Sequence, residues 1–301
     1  MRGIRTMDKN YIFIDAPSDL GLKQTGVTGL GAKLKQYNLL EKLNAEQGPI
    51  VDLGTCIYSG KRDGDTGYLN MNTVREYTYK LSEVISPYIK HRRPFIVLGG
   101  DCSILLGSAL ALKKQGRYGL LFLDGHSDFY DSRLSETGEV AELDLGIVTG
   151  HGHPQLDDID GLKPYFKPED TVLFGFREER HDPPKGYRAV RKTGIHVFSL
   201  DDIRKQGFEK CLRLALQEVT KAELDGFFIH LDADVLDDAL MPAVDYRLED
   251  GLSFQEVSSI LKAAVDTGSI RGLDVTIYNP NLDQNDEAAI RMVACLAEGL
   301  S

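Results

Sequence analysis

The stretch Tyr118-Gly119-Leu120-Leu121-Phe122-Leu123-Asp124-Gly125-His126-Ser127-Asp128 decides the fold. A mostly apolar run of six residues ends abruptly in carboxylates and an imidazole, as a strand buried on both faces does where it leaves a parallel sheet. The same pattern recurs outward from it: residues 11–14, 94–98, 171–176, 195–198, 226–231 and 271–277 are short apolar runs. Between them lie amphipathic segments at 73–91, 103–115 and 208–220. A further helix opens at Ser253-Phe254-Gln255-Glu256, where a hydroxyl and a carboxylate three residues apart satisfy the first free backbone N–H groups. Strand and helix alternate along the chain, so the fold class is α/β, with one parallel sheet and helices on both faces.

Composition agrees with a packed core. The 301 residues are 42% hydrophobic and 27% charged, with 30 Gly and 11 Pro, which excludes disorder. No run approaches the ~18 apolar residues of a membrane span, and residues 1–10 lack the apolar centre of a signal peptide, so the expected location is the cytoplasm. Thirty-five Lys and Arg against 46 Asp and Glu leave a net charge of -11. That charge repels phosphate backbones and anionic lipid, so neither nucleic acid nor membrane is an expected partner. Cys56, Cys102, Cys211 and Cys295 are scattered, which excludes a zinc ribbon or a disulfide framework. Segments 22–31 and 178–187 are loop-like but too short to divide the chain, and no internal repeat is present. Residues 1–301 therefore read as a single domain.

In an open parallel sheet, ligands bind beyond the carboxyl ends of the strands. Asp124, His126 and Asp128 follow one such end at i, i+2 and i+4, and in extended chain their side chains point the same way. The run 226–231 ends likewise in Asp232-Ala233-Asp234, with Asp237 and Asp238 following. One such aspartate alone would read as a helix cap. Two clusters together point to a cation, because so many ionised groups cannot share a confined crevice unneutralised. Carboxylate and imidazole donors suit Mn2+, and also Zn2+, Ni2+ or Fe2+. Two ions ~3.5–4 Å apart would lower the pKa of a shared water and make a hydrolase.

Gly99-Gly100-Asp101-Cys102-Ser103, Asp124-Gly125-His126-Ser127-Asp128 and Asp232-Ala233-Asp234, in this order and spacing, resemble the arginase and agmatinase (ureohydrolase) superfamily. Its pattern reads Gly-Gly-Asp-His-Ser, Asp-Ala-His-x-Asp and Ser-x-Asp-x-Asp. The likeness runs from the first strand through Asn279-Pro280. It implies a three-layer α/β/α sandwich with a parallel sheet of about eight strands, a two-manganese centre, and hydrolysis of a guanidino or similar C–N bond. It also implies that Asp124 and Asp232 bridge both ions. Asp128 would complete one site, with Cys102 standing where the family has His, and His126 and Asp234 would complete the other. His151, in Thr149-Gly150-His151-Gly152-His153-Pro154, falls where the family carries a proton-shuttling His, and His153 is its neighbour. The resemblance thus gives His151 and Asp128 as catalytic candidates, His153 and Asp274 as substrate-binding candidates, and a homo-oligomer, trimer or hexamer, as the assembly.

Four departures stand out: Cys102 for His, Gly125 for Ala, Asp238 for Pro, and Ile277 where the family carries a carboxylate that contacts guanidinium. Cys102 reads either as a thiolate ligand, which favours an ion softer than manganese, or as a small buried residue under the following helix. Ile277 cannot pair with a cation, so arginine and agmatine are expected to be poor substrates. Asp274, Asp245 and Asp144 are candidate compensators, or equally loop and capping carboxylates. His230 reads as a partner to the Asp232 pair or as a core histidine, and Phe129 and Tyr130 as pocket lining or packing. Two function classes follow. One is a small-molecule hydrolase acting on a linear amidino, formimino or modified guanidino group. The other is a catalytically impaired member serving as a structural or regulatory subunit. The intact acidic and imidazole set of the second and third motifs favours the enzyme.

Overall fold

The computed structural model describes residues 11–180 and 190–301; the expectation of no signal peptide at 1–10 and part of the loop at 178–187 lie outside them. Eight strands, β1 (Ile12–Asp15), β2 (Glu46–Ile50), β3 (Phe95–Leu98), β4 (Gly119–Leu123), β5 (Thr171–Phe174), β6 (His196–Phe198), β7 (Phe227–Asp232) and β8 (Ile270–Thr276), form one sheet in the order β2-β1-β3-β8-β7-β4-β5-β6. Every pairing is parallel.

Helices cover both faces. On one side lie α1 (Leu30–Gln36), α2 (Leu39–Lys42), α7 (Leu200–Gln206), α8 (Phe208–Val219), α9 (Phe254–Asp266) and α10 (Glu287–Leu300). On the other lie α3 (Met71–Lys90), α4 (Leu105–Lys113), α5 (Asp144–Val148) and α6 (Pro154–Asp157). Each layer presents its apolar stripe to the sheet, whose central strands are buried along their whole length. The expected capping box is present: Ser253 Oγ accepts from Glu256 N, and Glu256 returns a carboxylate to Ser253 N at 2.8 Å. Seven strands match the apolar runs. The eighth, β2, is an exposed edge strand of sequence Glu-Gln-Gly-Pro-Ile, and its polar residues, Gly and Pro gave no apolar run to read.

The middle of the sheet positions the site. Register aligns Leu123 with Leu231 and Leu231 with Val275, so β4, β7 and β8 end level with one another. The chain crosses from β3 to β4 over the intervening β8 and β7, which opens a crevice at these carboxyl ends.

Candidate metal centre

Each of the three motifs is carried past the end of a central strand. Asp101, after β3, caps the 3-10 turn Cys102–Ile104 by accepting from Ser103 N at 2.8 Å, which fixes Cys102 over the ends of β7 and β8. Gly100 makes this possible, since a Cβ there would lie 1.8 Å from the Ser18 carbonyl oxygen. Cys102 Sγ donates to Asp232 Oδ2 at 2.8 Å and lies 3.2 Å from Thr276 Oγ1. Asp124 Oδ1 accepts from His126 N at 2.6 Å, and Asp232 Oδ1 accepts from Asp234 N at 2.7 Å, so both motifs turn identically at their first aspartate. His126 Nδ1 is 2.8 Å from Asp234 Oδ2 and 3.7 Å from Asp124 Oδ1.

The structure therefore brings Cys102, Asp124, His126, Asp128, Asp232 and Asp234 to one place. Two groups of donor atoms, each within 4.8 Å of one another, are Asp124, His126 and Asp234, and Cys102, His230 and Asp232. The electrostatics match a cation-binding cluster. Burial, then the charge of Asp234, raises the Asp124 carboxyl to about 6. Burial and neighbouring aspartates push Asp128 and Asp232 well above the ordinary carboxylate range. Burial, then the Asp232 charge, does the same to the Cys102 thiol. For His126, burial disfavours the imidazolium but the charges of Asp234 and Asp124 outweigh it, so its pKa rises. Asp234 moves down: burial opposes ionisation, and the His126 and Arg177 charges overcome it. Asp124 Oδ2 is buried with no hydrogen-bond partner among the described residues. A group of acids that repel one another, with an orphaned oxygen, fits divalent ions as the missing partners.

Cys102, His126, Asp128, Asp232 and Asp234 form the floor of a cavity of about 390 Å³, and Asp124 is wholly buried. Its walls come from segments that carried no periodicity in the sequence: Ser135, Glu136, Thr137, Glu139, Ala141 and Glu142 on one side, Asp245, Tyr246, Arg247 and Leu248 on another, with Glu178 and Ile277. Glu139 accepts from Tyr246 Oη at 2.8 Å, Glu142 from Thr137 Oγ1 at 2.7 Å, and Glu178 from Ser127 Oγ at 2.7 Å and from Tyr130 Oη. Asp238, where the superfamily pattern has Pro, pairs with Arg247. Ile277 and Asp128 both hold left-handed backbone, at φ 67° and 43°. For a β-branched residue such as Ile277 that conformation is strained.

Other expected site residues lie elsewhere. His151 and His153 line not this cavity but a smaller neighbouring one, with Tyr130 common to both. His151 Nδ1 is 3.2 Å from Thr149 Oγ1 and its ring packs on Phe129 at 4.9 Å, while His153 caps α6 by accepting from Gln155 N. Asp274, expected to contact substrate, is wholly buried beneath the floor with Oδ1 2.7 Å from His230 Nδ1. Asp144 is likewise wholly buried, at the start of α5. The sequence reading did not single out Arg177. Only its place just past the apolar run 171–176 could have marked it.

A family model described as "Arginase family" matches residues 12–300. The chain belongs to the arginase family. It is thus a member of a family of C–N hydrolases, ureohydrolases, that depend on a binuclear metal centre. Arginase of Bacillus subtilis is 28% identical over 295 residues, spanning 96% of this chain and 98% of that protein. The solved structure of arginase from Bacillus caldovelox superposes with a TM-score of 0.86 at 25% identity, over 97% of this chain and 98% of that one. Proclavaminate amidino hydrolase from Streptomyces clavuligerus shares the fold, with a TM-score of 0.67 at 19% identity over 97% and 90% of the two chains. Among the described residues of this arginase-family protein, no helix is long and apolar enough to cross a membrane.

Proposed function

We propose that this protein hydrolyses a linear C–N bond of guanidino, amidino or formimino type at a pair of divalent ions. The observation that carries the reading is the convergence of Cys102, His126, Asp128, Asp232 and Asp234 on one acid-walled cavity, with wholly buried Asp124 among them. Asp124, His126 and Asp234 would hold one ion and Asp128, Asp232 and Cys102 the other, with Asp124 and Asp232 between them. Mn2+ is the first candidate, and Zn2+, Ni2+ or Fe2+ suit the Cys102 side. Such ions supply Lewis acidity that makes water nucleophilic near neutral pH.

The chain's own groups do the rest. Asp128 takes the proton lost by the attacking water and returns it to the departing nitrogen, whose anion is too basic to leave unprotonated. Glu136, Glu139, Glu142, Glu178 and Asp245 favour a cationic amidine in the cavity. Ile277 puts a methyl-rich surface on the remaining wall, which disfavours arginine and agmatine. The family match over 12–300 supports a single domain, and the resemblance supports a cytoplasmic homo-oligomer, trimer or hexamer.

Elemental analysis of protein purified without chelator, together with a panel assay for released urea or ammonia, tests this. Two metal equivalents per chain and turnover of an amidine or formimino compound are expected. Fewer than one equivalent after incubation with Mn2+ or Zn2+, with no turnover across the panel, would overturn it.

A further inference from the structure

His230, on β7, is 0% exposed and stacks on Phe122 with ring centroids 4.5 Å apart. Strand register sets it between Phe122 on β4 and Asp274 on β8, one side-chain repeat below Asp124 and Asp232. Its Nδ1 lies 2.7 Å from Asp274 Oδ1. An ionised carboxylate only accepts, so Nδ1 carries the hydrogen toward Asp274, and Nε2 is the position at which the ring, once deprotonated, offers a lone pair. That Nε2 has no hydrogen-bond partner among the described residues, and neither has Asp144 Oδ2, which faces it at 3.9 Å. A buried polar atom left without a partner is costly, and here two of them face each other. A histidine that ligates a metal characteristically gives its other N–H to a carboxylate, which is what Asp274 receives here.

A donor atom from each of Cys102, His230 and Asp232 falls within the same 4.8 Å. With metal bonds of about 2.0–2.3 Å, neighbouring ligand atoms around a tetrahedral ion stand about 3.3–3.8 Å apart. The 3.9 Å between Nε2 and Asp144 Oδ2 is close to that spacing. We propose that Cys102, His230 and Asp232, with Asp144 as fourth donor, form a thiolate-imidazole-carboxylate site for a zinc-like ion. It lies beside the harder site of Asp124, His126 and Asp234. This deepens the proposed function by exchanging Asp128 for His230 and Asp144 around the second ion, and it rests on that reading only through the shared cluster. Binding displaces the Cys102 proton and the His230 Nε2 proton to solvent, and the S–H to Asp232 hydrogen bond opens to admit the ion.

The test uses the full-length protein loaded with Zn2+ or Co2+. X-ray absorption at the zinc edge should show one sulfur at ~2.3 Å together with nitrogen or oxygen at ~2.0–2.1 Å. The cobalt form should show a sulfur-to-metal charge-transfer band. Cys102→Ser should abolish the band, and His230→Gln should weaken Zn2+ binding by about 100-fold or more, at the upper end of losses from disturbing metal-supporting groups. Should His230→Gln fail to fold, Asp144→Asn is the second variant, with a loss of about tenfold or more expected, and the sulfur shell of the unaltered protein stands as an independent readout. Manganese bound with no sulfur in any metal shell, or Zn2+ affinity unchanged in the variants, would overturn this site and leave the proposed hydrolase standing. No ion bound at all would overturn both.

Discussion

Arg177 Nη2 donates to the carbonyl oxygen of Asp234 at 2.9 Å, and the Arg177 backbone N–H donates to the carbonyl oxygen of Gly125 at 2.9 Å. One residue thus ties the turn after β4 to the turn after β7. Its Nη2 also reaches the carbonyls of Leu236 and Leu248, at 3.4 and 3.0 Å. A Cβ on Gly125 would lie 2.4 Å from Arg177 Nη1, which gives a physical reason for Gly where the superfamily pattern has Ala.

Arg177→Met should therefore weaken metal binding at the Asp124, His126 and Asp234 group by about 10–100-fold, the usual effect of loosening groups that orient ligands. Gly125→Ala should act in the same direction by displacing the guanidinium. Isothermal titration with Mn2+ checks both. Unchanged affinity in Arg177→Met would show that the turns hold themselves.

Metal-free protein should lose stability as pH rises. Asp124 titrates at about 6 when folded and Asp128 and Asp232 are also raised, so from the ordinary carboxylate range near 4 upward the folded chain holds more protons than the unfolded one. His126 and His230, the latter raised to about 9, extend the same sign above 6.5. Asp234 has the opposite sign, but its depressed pKa acts below about 4. Thermal unfolding with chelator should give a Tm that falls between pH 5.5 and 8.5, less steeply in Asp232→Asn, while metal-loaded protein should not follow that slope. A metal-free Tm that climbs over the range would contradict the carboxylate assignments.

How much of this was legible beforehand differs between fold and site. The apolar runs of β3, β4 and β7 and the acids directly after them were plain, because full burial writes a continuous pattern and a strand end has a fixed position relative to it. β2 was not, since an exposed edge strand needs no apolar run. The cavity wall from Ser135 to Glu142 was not either. It is irregular chain held by side-chain hydrogen bonds such as Thr137 to Glu142, which leave no period to read. His151 had a plausible spacing, but sequence distance along a loop does not fix which side of Tyr130 it lands on.

Ile277→Glu should raise kcat/KM for arginine or agmatine by at least tenfold, because it places a carboxylate on the cavity wall where the resemblance expects one. The gain is limited by crowding with the existing acids and by the left-handed backbone at this position. A urea-release assay on both compounds measures it. No gain in a variant that still binds two metals would remove Ile277 from the account of specificity.

His151→Ala should lower kcat/KM for a turned-over amidine by less than about tenfold, since its imidazole lines the adjoining cavity and not the one above the cluster. A fall of ~10²–10⁴ would instead mark it as the group that protonates the leaving nitrogen.

The two halves of the centre are far apart along the chain: Gly125 N–H donates to Asp234 Oδ1 across 109 residues. An unfolded chain offers an incoming ion only isolated fragments, Asp-x-His-x-Asp or Asp-x-Asp, and neither encloses it. The complete donor set exists only once β4 and β7 lie side by side, so the loop-closure entropy of that pairing is met without help from the ion. Metal should therefore leave the refolding rate almost untouched and slow unfolding in proportion to its concentration, making the bound ions a latch on the finished sheet and not a seed for it.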